Sequence, residues 1–491
     1  MSVLVIDIGT SGLRAAVVRP DGDVTAMHYR SMPPASPFPG LVEFDAMVMV
    51  STAIEVAALS LAEAGPVQAV GITNQRASTI VWDRATGAPI APGLGWQDLR
   101  TVIQCITAKA EHGLALAPNQ SATKVPWLLD NAGGRGREEQ LAFGTVDTFL
   151  AWHLTGGALH VTDHTNAAVS GLLEPDGSRW SAKVCEAMGV PEHMLPALVD
   201  SSGVLAPCTA LPGAPVLAAL AGDQQASLVG QSCVHPGQAK VTFGTGGMLD
   251  MVTGNRPATV AGRTSGGTFP IVAWSRDGQR TWGCEAIMLS AGTNVEWLVA
   301  DLGILVDAAE SHAVAAQCAT TDGVMYVPAL MGLGTPHWDY GARGTLLGLT
   351  RGSGRPQITR AVLEGVAHRG ADLMEAVEAD GGHTIPSLRV DGGMSRNATF
   401  MQALADATGK VVEVSRHTEA TTVGAGYLAG LAVGVWGSTD DLAALWNPAT
   451  VVTPTDGFGS DGPQRTATRA TWAEAIRRSR GWIPDLSALD F

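Results

Sequence analysis

The strongest constraint on this chain is a unit that occurs twice. Residues 3–18, VLVIDIGTSGLRAAVV, form an apolar β-branched run, a turn of Gly9, Thr10, Ser11 and Gly12, and a second apolar run. Residues 241–252, VTFGTGGMLDMV, repeat the plan around Gly244, Thr245 and Gly246. Apolar runs flanking a glycine turn predict buried strands joined as hairpins. Two such hairpins, about 235 residues apart from Gly9 to Gly244, predict a duplicated architecture.

Other apolar runs end at polar or glycine-rich turns. Residues 69–72 read as a strand ending at Thr73, Asn74, Gln75 and Arg76. Residues 215–221 lead into Gly222, Asp223, Gln224 and Gln225, and residues 388–390 into Asp391, Gly392 and Gly393. Leu363, Val366, Gly370, Leu373 and Val377 recur at three- and four-residue spacing, which predicts a helix with one packed face. Strands alternating with helices predict α/β domains. The Pro/Gly-rich stretches 31–40 and 447–463 read as loops, the second before a last helix around Trp472 and Ile476.

The chain has 491 residues, enough for two to three domains at roughly 150 residues each. A formal net charge of −15 argues against general nucleic-acid or anionic-lipid binding, while leaving room for a small basic site for a phosphorylated ligand. The 59 glycines are about 12% of the chain against a usual ~7%, which points to a globular protein with many tight turns. Cys105, Cys185, Cys208, Cys233, Cys284 and Cys318 lie far apart with no C-x-x-C pair, so they read as reduced core thiols of a cytoplasmic protein. No basic leader precedes the first strand, and the apolar stretch 423–436 is too short and Gly-rich to span a bilayer. His160 and His164 flank Asp163 in VTDHTN, which reads as strand and loop rather than a shared helical metal face. Neither a G-x-x-x-x-G-K-[ST] loop nor a G-x-S-x-G elbow occurs.

The hairpin tips carry the chemistry. A Gly-Thr turn gathers backbone N–H groups and a hydroxyl at one point, which suits phosphate oxygens. Asp7 precedes the first tip and Arg14 follows it. A carboxylate beside a phosphate cradle is repulsive unless a cation intervenes, so Asp7 implies Mg²⁺, held through water; the plainer reading is a surface aspartate on a tight hairpin. Asp223 follows an apolar strand and opens a helix, where open α/β sheets place their chemistry and where the helix dipole favours an ionised carboxylate; it could equally be an N-cap. Asp391-Gly392-Gly393 follows a strand and lets a flat ligand approach the backbone, though a plain turn reads the same way.

Taken together, these segments resemble the FGGY carbohydrate kinases of the actin–hexokinase superfamily, and within them the glycerol kinase branch. The resemblance runs along nearly the whole chain: IDIGTSGLRAAVV, GITNQRASTIVWDRATG, GWQDLRT, TKVPWLLDN, GTVDTFLAWHLTGG, HVTDHTNA, AGDQQASLVGQ, FGTGG, VPALMGLGTPHWDYGARG, VDGGMSRN and VGAGYLAGLAVG. It implies a two-domain actin/hexokinase-like (ribonuclease H-like) α/β fold with a duplicated core and an interdomain cleft. The expected domains are 1–232, holding the polyol, first phosphate hairpin and catalytic base, and 233–491, holding the second hairpin and nucleotide. By the family pattern Asp7, Thr10, Ser11 and Arg14 face the transferred phosphoryl group and its Mg²⁺. Thr245 and Gly246 hold phosphates from the opposite hairpin, and Gly292, Gly393 and Asn397 line the ATP site. Asp223 is the general base, and Arg76, Trp96 and Gln224 line the polyol pocket. Asp223 does not need a raised pKa for this, because the hydroxyl proton leaves late. A homodimer or homotetramer is implied, with a small polyol or sugar and ATP as ligands.

The departures from the glycerol kinase pattern fall at the substrate. Ala77 follows Arg76 where the pattern has Glu, Asn119 stands where it has Tyr, and Met248 where it has an aromatic wall. A lost carboxylate costs roughly 1–3 kcal/mol per missing hydrogen bond. Smaller side chains leave space, so the expected acceptor is a longer polyol, a tetritol or pentitol, with glycerol the alternative. The segment CTALPGAPVLAALAGDQQ has no Lys or Arg, so inhibition by a sugar bisphosphate is not expected. A ketose kinase of the xylulokinase or ribulokinase type is the next reading. A non-kinase ATPase switch of the same superfamily is less consistent, since a switch has no need of Asp223.

Overall fold

The structure is a computed structural model and describes residues 2–260 and 262–488. Two sheets form its frame. In the first, β1 (Val3–Ile8), β2 (Gly12–Val18) and β3 (Val24–Ser31) run antiparallel, and β4 (Ala69–Asn74) and β5 (Val216–Gly222) add parallel to β1, in the order β5-β4-β1-β2-β3. In the second, β6 (Ala239–Phe243), β7 (Gly247–Gly254) and β9 (Gln279–Met288) are the antiparallel trio. There β10 (Ser387–Asp391) and β11 (Val411–Val414) add parallel to β6. The strand order around each hairpin is the same. The second sheet adds β8 (Phe269–Arg276) at one edge and β12 (Thr450–Val452) at the other. β12 lies inside the stretch 447–463, which therefore is not all loop.

The helices repeat the symmetry. Helix α1 (Ala46–Ala64) covers the first sheet, burying Met49, Val50, Ala53, Val56, Ala57 and Leu61. It is long and apolar enough to cross a membrane by length and composition, yet its apolar side is spent on the core of the first sheet. Helix α2 (Ser121–Asn131) lies further along the same half. Helix α3 (Asp223–Gly230) follows β5. In the second half α4 (Arg355–Gly381) buries the periodic residues Leu363, Val366, Gly370, Leu373 and Val377, and α5 (Ala398–Thr408) packs beside it. Helix α6 (Ala420–Ala432) follows β11 as α3 follows β5.

Helices α3 and α6 cross at the junction of the two halves. A Cβ on Gly230 would overlap the carbonyl oxygen of Ala420, and one on Gly424 that of Ala226. Only glycine lets two helix backbones approach this closely. Beyond the crossing, α6 packs on the first sheet, with Val423, Ala425 and Leu428 in one core with Val3, Val5 and Ala219. The start of each crossing helix therefore opens into the space between the sheets.

Candidate active site

The strand ends of the first sheet bring the site together. β5 runs through Gly222, which caps α3, so Asp223 is the first helical residue rather than an N-cap. Its Oδ1 accepts the Gln224 N–H at 2.9 Å and lies 3.6 Å from the Arg76 guanidinium. The Asp223 side chain is 30% exposed. Burial raises its pKa above the ordinary aspartate value, with Arg76 pulling it back down.

The segment around His160 is a scaffold, not a metal site. The predicted loop is a short helix, His164–Ala168, capped by Asp163. Thr165 Oγ1 accepts the Gly222 N–H at 2.8 Å, and Asn74 Nδ2 donates to Asn166 Oδ1 at 3.0 Å, so this helix fixes the ends of both β5 and β4. His160 sits on the Phe143 carbonyl and His164 on Ser275.

Asp7, at the end of β1, is buried, and its pKa rises to about 6, chiefly through burial. The Arg14 guanidinium 3.6 Å away and a hydrogen bond from Thr422 Oγ1 at 3.0 Å hold it down, while the charge of Asp223 pushes it up. Arg14 also pairs with Glu419, at the start of α6. Unfolded, an aspartate titrates near 3.9. The folded chain thus binds this proton more tightly, and ionising Asp7 removes stability as pH rises from ~4 through about 6. Asp7→Asn is therefore expected to raise the melting temperature by a few degrees at pH 8 without added cation. The gain should fade toward pH 4 in a series of thermal melts.

Charged side chains from the second half also meet this site. Glu285 on β9 accepts from Arg76 at 2.7 Å, and burial raises its pKa. Lys240 on β6 pairs with Asp250 on β7 at 2.8 Å, both fully buried. Lys240 also donates to Gln224 Oε1 at 2.7 Å and Thr242 Oγ1 at 3.2 Å. Its charge helps keep Asp223, Glu285 and Asp391 ionised against their burial. Asp391, at the end of β10, accepts from Ser227 on α3 at 3.4 Å. Glu285, Lys240, Asp250, Glu419 and Thr422 were not read from the sequence. Lys240 and Asp250 did carry a signal: two charged residues placed symmetrically about Thr245 within apolar hairpin strands, directly paired in register.

The remaining predicted residues fall into groups. Trp96, 37% exposed, donates its indole N–H to Thr10 Oγ1 at 3.0 Å, joining its loop to the first hairpin. Ser11, at the same tip, is exposed. Ala77 is buried at φ 63, just after Arg76. Met248 is half-buried on β7 opposite Ile287. The Asn119 side chain is exposed, and its carbonyl accepts from Lys124. Thr245 and Gly246 form the tip of the second hairpin, where the Gly292 N–H donates to the Gly244 carbonyl at 2.9 Å. Gly393 begins a single 3₁₀ turn before α5, with open space around it. Asn397 caps α5 through the Phe400 N–H at 3.0 Å and donates to Ser311 at 2.9 Å. The structure thus ties Asp7, Thr10, Arg14, Arg76, Trp96, Asp223 and Gln224 into one constellation. Gly292, Thr245 and Gly246 form a second group on the opposite sheet.

Comparison with known proteins identifies the family. The N-terminal domain model of the FGGY family of carbohydrate kinases matches residues 2–230, and its C-terminal domain model residues 239–433. A glycerol kinase of Aromatoleum aromaticum is 40% identical over 98% of this chain and 99% of its own. One of Deinococcus radiodurans is 41% identical over 99% of each. The crystal structure of Plasmodium falciparum glycerol kinase with ADP superposes with a TM-score of 0.90 at 26% identity, covering 97% of this chain and 98% of that one. On the strength of both domain models and relatives matched end to end, this chain belongs to the FGGY family of carbohydrate kinases and is an ATP-dependent kinase of a sugar or polyol.

Proposed function

We infer that the chain moves the terminal phosphoryl group of ATP onto a hydroxyl of a small polyol, with Asp223 as general base. The observation that carries this reading is the position of Asp223, at a strand end, partly open to solvent and 3.6 Å from the Arg76 guanidinium. Arg76 beside it is held by Glu285 and so is fixed in direction, suited to a polyol hydroxyl. Trp96 supplies a flat apolar wall next to the phosphate hairpin.

The residues present fit Mg²⁺. Asp7 is a buried carboxylate whose own charge is poorly compensated, and it feels the charge of Asp223 from another strand end of the same sheet. Among the described residues no cluster of three or more His, Cys, Asp or Glu side chains could hold a metal alone. That suits an ion carried mainly by phosphate oxygens and water, with Asp7 as its one carboxylate neighbour. Such an ion would neutralise charge on the transferring group. Arg14, Thr10, Ser11, Thr245 and Gly246 would contribute hydrogen bonds and positive charge from the two facing hairpins. Gly292, Gly393 and Asn397 would lie along the nucleotide. All six cysteines are free thiols, in keeping with a cytoplasmic enzyme.

The acceptor we favour is longer than glycerol. Ala77, Asn119 and Met248 carry neither a carboxylate nor an aromatic ring at the three positions where the glycerol kinase pattern has them. ADP release should be measured across glycerol, erythritol, threitol, the pentitols, xylulose and ribulose. A tetritol or pentitol is expected to exceed glycerol in kcat/KM by roughly tenfold, one hydrogen bond's worth of discrimination. Glycerol as the best acceptor would overturn the enlarged pocket and leave the polyol kinase standing. Preference for xylulose or ribulose would move the chain to the ketose kinases.

A further inference from the structure

Three positions assigned to the acceptor pocket hang from a single turn of helix α2. Ser121, its first residue, accepts from Thr79 Oγ1 at 3.0 Å and donates to the Ala77 carbonyl at 3.4 Å. One turn on, Lys124 Nζ donates to the Gly95 carbonyl at 2.6 Å and the Asn119 carbonyl at 3.2 Å. Gly95 is buried and directly precedes Trp96, whose backbone N–H donates to Ser78 Oγ at 3.1 Å. One ammonium group thus ties together two loops that are 24 residues apart from Gly95 to Asn119.

Lys124 is an unusual choice for this place. It is fully inaccessible to solvent, and both its hydrogen-bond partners are carbonyl oxygens rather than carboxylates. Burial pushes its amine down to about 7, with Asp98 pulling it up and Arg100 pushing it further down. Asp98 is itself committed to Arg100 and to the Val42 N–H. A methionine of similar length would fill the same volume without burying a charge. Packing therefore does not account for a lysine, whereas anchoring two loop carbonyls does.

We propose that Lys124 is a positioning residue that holds the Trp96 and Asn119 loops in place as walls of the acceptor pocket, so that it sets affinity for the polyol without entering the phosphoryl transfer. The proposal rests on the acceptor-pocket reading above. It deepens that reading, because Lys124 touches none of the residues placed at the phosphates.

The test is steady-state kinetics and thermal melting of Lys124→Met, with Lys124→Gln and Ser121→Ala alongside, using the polyol that wild type turns over best. Lys124→Met should melt within a few degrees of wild type, the relief of a buried charge offsetting the donor lost to the Gly95 and Asn119 carbonyls. Its KM for the polyol should rise roughly tenfold, about what one displaced hydrogen bond gives, while kcat at saturating polyol and KM for ATP stay close to wild type. Lys124→Gln keeps one donor and should recover part of the loss. Ser121→Ala should raise polyol KM more mildly, and it serves if Lys124→Met does not fold. An unchanged polyol KM in both Lys124→Met and Ser121→Ala overturns the proposal, as does a matching fall in kcat. If wild type turns over no polyol at all, the pocket reading fails instead, which the same assay shows before any variant is compared.

Discussion

Asp223→Asn is expected to lower kcat by roughly 10³-fold, within the range for loss of a positioned general base. Asparagine keeps the size and can still meet the Gln224 N–H and Arg76, but it cannot take the hydroxyl proton. Arg76 retains its stronger contact, Glu285 at 2.7 Å, so its guanidinium should not wander. KM for ATP and the melting temperature should therefore stay near wild-type values. The pH profile provides a second check. Burial raises the Asp223 pKa, so activity should fall with acid at a higher pH than an ordinary aspartate would set. Burial also raises Asp7, to about 6, but a cation beside it favours its charged form, so only its contribution should move with Mg²⁺ concentration.

Lys240→Met is expected to destabilise the protein by about 3–5 kcal/mol, the usual cost of leaving one member of a buried pair without its partner. Asp250 would then sit at zero exposure with no positive neighbour at hydrogen-bond distance. Replacing both members, Lys240→Met with Asp250→Leu, should restore most of that stability, because the desolvation cost disappears along with the attraction. Activity should not return with it. Gln224 would lose its Lys240 donor at 2.7 Å, and Asp223, Glu285 and Asp391 would lose a shared positive neighbour. A double variant as active as wild type would show that Lys240 serves folding only. Denaturant unfolding of both variants, with kcat measured on each, separates the two roles.

Local pattern carried the frame of this protein a long way. Both hairpins were legible because apolar runs flank Gly-Thr turns, and the same strand order around each of them shows the duplication to be architectural. The packed face of α4 and the turn after β10 were legible for the same reason: their periodicity and breakers are contiguous in sequence. The strand-end position of Asp223 and the hairpin positions of Asp7 and Arg14 followed from those elements. What stayed hidden are partners joined only by the fold. Glu285 meets Arg76 from 209 residues away, and Thr422 meets Asp7 from 415. No window of sequence links such pairs, because burial and charge complementarity act after the sheets face each other. Lys124 was quoted within a motif yet not singled out, since a lysine on a helix normally reads as a solvated side chain. The β12 strand was missed because Thr450–Val452 is three residues long and sits between prolines and glycines.

Delivery of the phosphoryl group of ATP to a carbon-bound hydroxyl rather than to water is followed in the ³¹P NMR spectrum of wild-type protein with ATP, Mg²⁺ and the polyol panel. A phosphomonoester of one polyol is expected to grow in step with ADP, with little inorganic phosphate, and with no ester over the same time in the Asp223→Asn variant. Inorganic phosphate as the product whether or not polyol is present, or ester formed equally well by Asp223→Asn, would contradict that transfer.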